Sequence, residues 1–158
     1  MTASAAGASP SRTSTTALVA LLQAALDAEN AAIYGYGAAG AHVQDAQRRL
    51  AARSDYDTHR EQAAAVAGWV AERGATPSPP ATFYALPAPI TDAGRAAQLL
   101  AQLEEATAAR YADLVAASSG SLQHAAALAL QSAAVREARW RGSSVPFPGL
   151  VDRLTTRP

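Results

Sequence analysis

Residues 74–92, which read GATPSPPATFYALPAPITD, contain five prolines and divide the chain into two parts. Proline fixes φ and has no backbone N–H to donate, so this segment is predicted to be extended rather than helical. Its nineteen residues can reach roughly 60 Å at about 3.1 Å per residue. The helical stretch before it is only about 45 Å long at about 1.5 Å per residue. The segment is therefore predicted to be a crossover that lets the third helix begin at the same end of a bundle as the second.

Four segments have the residue spacing of amphipathic helices, and alanine, the best helix former, dominates the 49% of residues that are apolar. The four helices are predicted at about 16–41, 44–73, 91–117 and 121–141. Gly74 and Gly142 follow the second and fourth segments, where glycine commonly ends a helix. Short connections after the first and third segments favour antiparallel neighbours. The sequence thus predicts an all-α fold.

A chain of 158 residues is predicted to form one domain. We place a single four-helix bundle at 16–150, between a disordered N-terminal tail at 1–15 and a C-terminal tail at 151–158. Thr15 or Thr16 is the expected N-cap of the first helix. No signal-peptide core and no apolar run near the roughly 20 residues of a membrane span are apparent, so we expect a cytoplasmic location and no membrane partner.

The apolar stretch VPFPGLVDRL near the end of the chain is expected to be extended. Val145, Phe147 and Leu150 are predicted to dock onto the bundle, and contact with a partner chain is the alternative.

Charge and cysteine content exclude several classes of function. The absence of cysteine excludes disulfides, zinc–thiolate sites, Fe–S clusters and thiol nucleophiles. Thirteen arginines balance thirteen acidic residues, which argues against a nucleic-acid partner. A basic ridge of the second helix comprises Arg48, Arg49, Arg53 and Arg60. Acidic residues interrupt it, so we interpret it as a solvated or ion-paired face.

Each predicted helix brings an ionisable side chain to its apolar face or to the border of that face. Glu29 and His59 lie near the centres of the faces of the first two helices at 100° per residue. Glu104 borders the third, whereas Glu105 points roughly the opposite way. Glu137 borders the fourth. A buried charge is costly unless it is paired or binds a metal, so these side chains are the candidate site.

The chain resembles the ferritin-like four-helix bundles, and more narrowly the alanine-rich ferritin-like domains of unknown function. The segments that carry the resemblance are LDAENAAIYGYG, DTHREQAAAVAGWVAERGATP, LEEATAARYADLVAAS and AAVREARW followed by PFPGL. The resemblance implies an up-down-down-up bundle with the long proline-rich connection between helices two and three.

Ferritin-like di-iron centres use a Glu from each of two helices and a Glu-x-x-His pair from each of the other two. The resemblance implies that the corresponding metal ligands are Glu29, His59, Glu104 and Glu137. Two positions depart from the pattern, because Tyr56 stands where the second helix needs a glutamate and Trp140 where the fourth needs a histidine. Asp55 shares a helix face with His59 and is the substitute ligand.

These departures predict a degenerate, metal-free site with a structural role, no catalytic residue and no cofactor. In this interpretation Glu29 is held by a His59 imidazolium, by an arginine such as Arg136, or by the hydroxyl of Tyr36 or Tyr111. The alternative is an oxidoreductase or iron-binding protein that holds iron or another divalent metal in an incomplete Glu/His site. A third possibility is a ligand pocket beneath the crossover, for a small molecule that the sequence does not identify. Alanine-rich helices bury little surface, which favours a homodimer.

Overall fold

The computed structural model describes residues 10–142, with side-chain surroundings from Thr15 onward. Within that range the chain contains four helices and no strand. They are α1 (Pro10–Gly40), α2 (Ala46–Glu72), α3 (Ala93–Ala117) and α4 (Gly120–Arg141). The all-helical prediction is confirmed. Val145, Phe147 and Leu150 lie outside the described residues, so their predicted docking stays a prediction.

Side-chain caps and glycines set most of the helix ends. Asp45 and Asp92 precede α2 and α3, and each carboxylate accepts a hydrogen bond from a backbone N–H in the first turn at 2.8 Å. Gly74 and Gly142 follow the C-terminal ends of α2 and α4. Their φ values of +72° and +77° lie in the left-handed region, which favours glycine. The predicted ends of α2, α3 and α4 therefore agree with the structure to within two residues.

The start of α1 differs from the prediction. The helix begins at Pro10, so residues 10–15 are helical, and Thr15 and Thr16 lie inside the helix rather than at its N-cap. Proline is tolerated in the first turn of a helix, where its missing N–H would have no intrahelical partner. The apolar pattern begins only at Ala17, and a helix that extends beyond its apolar face gives no sign of its true start.

Two apolar clusters form the core. The first contains the early residues of α1 and α4 and the late residues of α2 and α3; its members include Leu22, Leu26, Val66, Val70, Leu114 and Leu122. The second contains the late residues of α1 and α4 and the early residues of α2 and α3; its members include Tyr36, Ala39, Ala52, Leu99, Leu100 and Trp140. Buried polar residues lie between these clusters along each helix.

The segment between α2 and α3 contains neither helix nor strand, as its prolines predict, and it contacts α1. The side-chain amide of Gln23 donates to the carbonyl oxygen of Thr76 at 2.7 Å and accepts from the backbone N–H of Ser78 at 2.9 Å. Leu86 and Ile90 pack against the second apolar cluster. Phe83 of the same segment remains 66% exposed, and its ring contacts the Tyr34 ring in an edge-on arrangement.

One glycine allows a close approach between α1 and α3. A Cβ built on Gly35 would lie 2.3 Å from Cδ1 of Leu103. A Cβ on Gly37, half a helical turn away, would have no neighbouring atom within 4 Å. Gly35 is thus the residue of the YGYG segment that permits tight packing.

One helical stretch in the described part of the chain, Thr15–Gly40, is long and apolar enough to cross a membrane by length and composition. This finding differs from the expectation from the sequence that no apolar run approaches the length of a membrane span. A core helix and a signal sequence near the N-terminus pass the same test, and 28% of the most apolar window of this helix is buried. The helix contributes Leu22, Glu29 and Tyr36 to the interior.

Candidate functional site

Six buried side chains from all four helices form one polar cluster between the two apolar clusters. We define the polar cluster as Glu29 and Tyr36 of α1, His59 of α2, Glu104 and Tyr111 of α3, and Arg136 of α4. Glu29, His59 and Glu104 are 0% exposed. The helix periodicity therefore predicted the inward orientation of these three residues correctly, and it is Glu104 rather than Glu105 that is fully buried.

His59 joins the two carboxylates of the polar cluster. Its Nδ1 lies 2.6 Å from Oε2 of Glu29, and its Nε2 lies 3.1 Å from Oε1 of Glu104. A carboxylate can only accept hydrogen bonds, so an imidazolium that donates from both nitrogens satisfies this geometry.

The surroundings favour protonation of His59. Burial alone would lower the pKa of the imidazole, but the hydrogen bonds and negative charges of Glu104 and Glu29 outweigh it and raise that pKa to about 9. Burial likewise acts to raise the pKa of Glu104, yet hydrogen bonds and charges from His59 and Arg136 dominate and lower it. At neutral pH His59 is therefore protonated and Glu104 is ionised.

Glu29 is held by two of the partners expected from the sequence. Besides His59, the hydroxyl of Tyr111 donates to Oε1 of Glu29 at 2.6 Å. Burial and the nearby Glu29 charge raise the pKa of Tyr111 far above its usual value, so the hydroxyl keeps its proton and acts as a donor. Both carboxylate oxygens of Glu29 thus have a partner.

The other two expected partners of Glu29 contact Glu104 instead. Nε of Arg136 donates to Oε1 of Glu104 at 2.8 Å, and the hydroxyl of Tyr36 donates to the same oxygen at 2.5 Å. Together with His59, these donors converge on one oxygen atom. The other oxygen, Oε2 of Glu104, is buried without a hydrogen-bond partner in the described part of the chain.

Asp55 and Trp140 extend the polar cluster toward the second apolar cluster. The indole N–H of Trp140 lies 2.9 Å from the hydroxyl of Tyr36 and 3.1 Å from Oδ2 of Asp55. Arg139 forms an ion pair with Asp55. Guanidinium groups of Arg48 and Arg139 lie 5.8 Å and 5.7 Å from the Trp140 ring centre. Asp55 therefore pairs with Arg139 and accepts a hydrogen bond from Trp140.

Glu137 is buried, and among the described residues it forms no hydrogen bond or ion pair with the polar cluster. Its Oε1 accepts from Arg141 at 2.7 Å, and Arg141 also pairs with Glu105 at 3.0 Å. Burial raises the pKa of Glu137 despite Arg141. The structure thus brings Glu29, His59 and Glu104 into one bonded set and leaves Glu137 outside it.

The donor set does not fit a di-iron centre. A metal ligand must offer a lone pair, yet both nitrogens of His59 face carboxylates, and Oε1 of Glu104 accepts a hydrogen bond from the guanidinium of Arg136. The two carboxylates of Glu29 and Glu104 are balanced in charge by the His59 imidazolium and the Arg136 guanidinium, so charge balance does not require a metal ion. Within residues 15–142, no group of three or more His, Asp or Glu side chains has an arrangement suited to a metal ion.

The other two histidines, His42 and His124, form no hydrogen bond or ion pair with the polar cluster among the described residues. His124 is exposed and His42 is half-buried. Arg48, Arg49, Arg53 and Arg60 of the basic ridge form no ion pair with a carboxylate in the described part of the chain.

Two arginines of the site were not recognised in the sequence. Arg141 lies four residues after Glu137, a spacing that favours an ion pair on a helix and would have identified it. Arg139 carries no comparable signal, because its partner Asp55 lies on another helix.

The fold and the polar cluster define a class of all-α, four-helix proteins with a charge-balanced polar layer in the core. Residues 21–152 match the family model described as Domain of unknown function (DUF4439). The chain belongs to this family.

A solved structure is similar to this chain in fold and sequence. The crystal structure of a conserved hypothetical protein, rv2844, from Mycobacterium tuberculosis is similar to this chain with a TM-score of 0.76 and 30% sequence identity. The similarity covers 80% of this chain and 96% of that one. No curated protein matches the chain.

Proposed function

We propose that the helices form an up-down-down-up bundle of the ferritin-like kind, with residues 73–92 as the crossover. The two apolar clusters support this topology, because α1 and α4 contribute their early residues to the same cluster as the late residues of α2 and α3. The contacts of Gln23 near one cluster and of Leu86 and Ile90 near the other support a segment that follows the bundle lengthwise.

The function that the site supports best is that of a non-catalytic helical-bundle domain that acts through binding or self-association. In this proposal the polar cluster takes the place that a di-metal centre has in ferritin-like proteins, and its role is structural. The observation that carries the proposal is the 2.8 Å contact between Arg136 and Glu104. A protein guanidinium is always charged, and it stands against the carboxylate that a metal would need. Such a network also favours one pairing of four similar alanine-rich helices.

Titration with Fe(II) under anaerobic conditions tests the proposal. We expect no stoichiometric binding and no change in the thermal midpoint of unfolding. Stoichiometric iron that is lost in both His59→Ala and Glu29→Ala, while Tyr84→Phe keeps it, would overturn the metal-free role.

A second candidate function, iron binding at an incomplete carboxylate site, is favoured by one observation. Oε2 of Glu104 and Oε2 of Glu137 are buried and have no hydrogen-bond partner among the described residues. The same titration separates the two functions, since Glu104→Gln would abolish binding in this second case.

Self-association through α4 is the form of assembly that we propose. Leu128 and Val135 are 53% and 68% exposed and lie seven residues apart, which places them on one helix face. Light scattering after gel filtration is expected to give the mass of a dimer for the wild type and of a monomer for Leu128→Glu/Val135→Glu. A wild-type monomer would contradict this assembly.

A further inference from the structure

A groove of about 920 Å³ lies between the C-terminal half of α1 and the N-terminal half of α2. Its walls include Gly37 of α1 and Arg49, Leu50, Arg53, Tyr56 and Arg60 of α2. The volume lies within the range of small-molecule sites, roughly 300–1,000 Å³. Tyr36 of the polar cluster also lines this groove.

The groove carries an excess of positive charge. Arg49, Arg53 and Arg60 line it together with a single carboxylate, that of Asp57. None of the three arginines forms an ion pair with a carboxylate in the described part of the chain, although Arg49 donates to the carbonyl oxygen of Gln44 at 2.6 Å. Guanidinium groups that have no carboxylate partner within the described chain are suited to bidentate contacts with the phosphate or carboxylate of a ligand.

Apolar surface lies beside these charges. Leu50 is 66% exposed, and the guanidinium of Arg60 lies 6.0 Å from the centre of the Tyr56 ring. On the α1 wall, Gly37 has no side chain, and a Cβ there would meet nothing within 4 Å. Arg49 and Arg60 are eleven residues apart, which corresponds to about 16 Å along a helix.

We propose that this groove binds a small organic anion that carries at least two phosphate or carboxylate groups on an apolar body. The separated arginines contact the acidic groups, and Tyr56 and Leu50 contact the body. A nucleic acid fits less well, because the chain as a whole carries no net charge. Residues 143–158 contain one acidic residue and two arginines, so they offer no matching negative charge.

Isothermal titration calorimetry of the full chain, at low salt and without metal, tests the proposal. The probes are adenosine triphosphate and dodecanedioate, which separate phosphate from carboxylate as the recognised group. Two variants address the groove: Arg53→Gln/Arg60→Gln removes charge, and Gly37→Leu fills space. Their matched controls are Arg95→Gln/Arg110→Gln, which removes the same charge from α3, and Gly68→Leu, where a Cβ also meets nothing within 4 Å.

We expect one probe to bind with one molecule per chain. Its affinity should fall by about tenfold or more in each groove variant, as for the loss of a charge-assisted contact, and should stay within about twofold in each control. Failure of both probes to bind would overturn the proposal. Equal weakening by the two arginine pairs would also overturn it, because binding would then follow net charge rather than the groove.

Discussion

Nε of Arg136 donates a hydrogen bond to Oε1 of Glu104 across 2.8 Å, between side chains that are 6% and 0% exposed. This contact fixes α4 to α3 inside the core. Because the pair is buried, each charge depends on the other for its stability, and removal of one partner leaves the other uncompensated.

Arg136→Met is expected to lower the free energy of unfolding by about 3–5 kcal/mol, since it leaves Glu104 charged and buried beside fewer donors. Urea denaturation measures the loss. The matched control is Arg110→Met, which removes an ion pair with Asp113 at 3.7 Å in which the Arg110 side chain is 50% exposed, and it should cost less than about 1 kcal/mol.

Addition of Glu104→Gln to Arg136→Met should recover part of that loss, because no unpaired charge remains. A loss below about 1 kcal/mol in Arg136→Met itself would contradict a buried ion pair.

Stability should depend on pH through His59. The folded pKa of about 9 lies above the ordinary 6.5, so the stabilisation by the imidazolium is complete below pH 6.5 and is lost as pH rises through about 9. The size of this shift corresponds to about 3 kcal/mol at most. Glu104 contributes a pH dependence of the opposite sign. Because its pKa is lowered in the folded state, its stabilisation is complete above the ordinary value of 4.5 and is lost as pH falls.

The free energy of unfolding, measured from pH 5 to 9, tests the predicted loss of stability at alkaline pH. The wild type should lose stability between pH 6.5 and 9, and His59→Gln should show a much flatter curve over the same interval. Identical slopes for the two proteins would assign the pH dependence to other groups.

Tyr111→Phe removes the hydroxyl that donates to Glu29 and should cost about 1.5–3 kcal/mol, the range for a hydrogen bond to a charged group. Tyr84→Phe is the control, because its hydroxyl contacts Asp27 at the surface at 3.3 Å. Chemical denaturation of both variants should separate them clearly. Equal effects would mean that Glu29 does not need the Tyr111 hydroxyl.

Gly35→Ala and Gly37→Ala make a matched pair on one helix. Alanine is a better helix former than glycine by about 0.8–1.0 kcal/mol, so Gly37→Ala should raise the thermal midpoint. At Gly35 the added Cβ would come within 2.3 Å of Leu103, and the resulting displacement should cancel or reverse that gain. Calorimetry of the two variants measures the difference. An equal gain at both sites would rule out close packing of α1 on α3 at Gly35.

The sequence predicted the helices better than it predicted their contacts. Capping residues and glycines are local signals, so the ends of α2, α3 and α4 could be found. The inward orientation of Glu29 and His59 follows from periodicity within one helix. The partner of Arg136 does not, because a helix wheel gives an angle but not the height or rotation of one helix against another. For that reason the sequence places Arg136 among the possible partners of Glu29, whereas in the structure Arg136 contacts Glu104.

Nitrogen-15 NMR of the His59 ring at neutral pH tests the central claim most directly. The account predicts that both ring nitrogens carry a proton, as in an imidazolium held between Glu29 and Glu104. A ring with one unprotonated nitrogen, whether neutral or bound to a metal, would contradict the charge-balanced polar cluster.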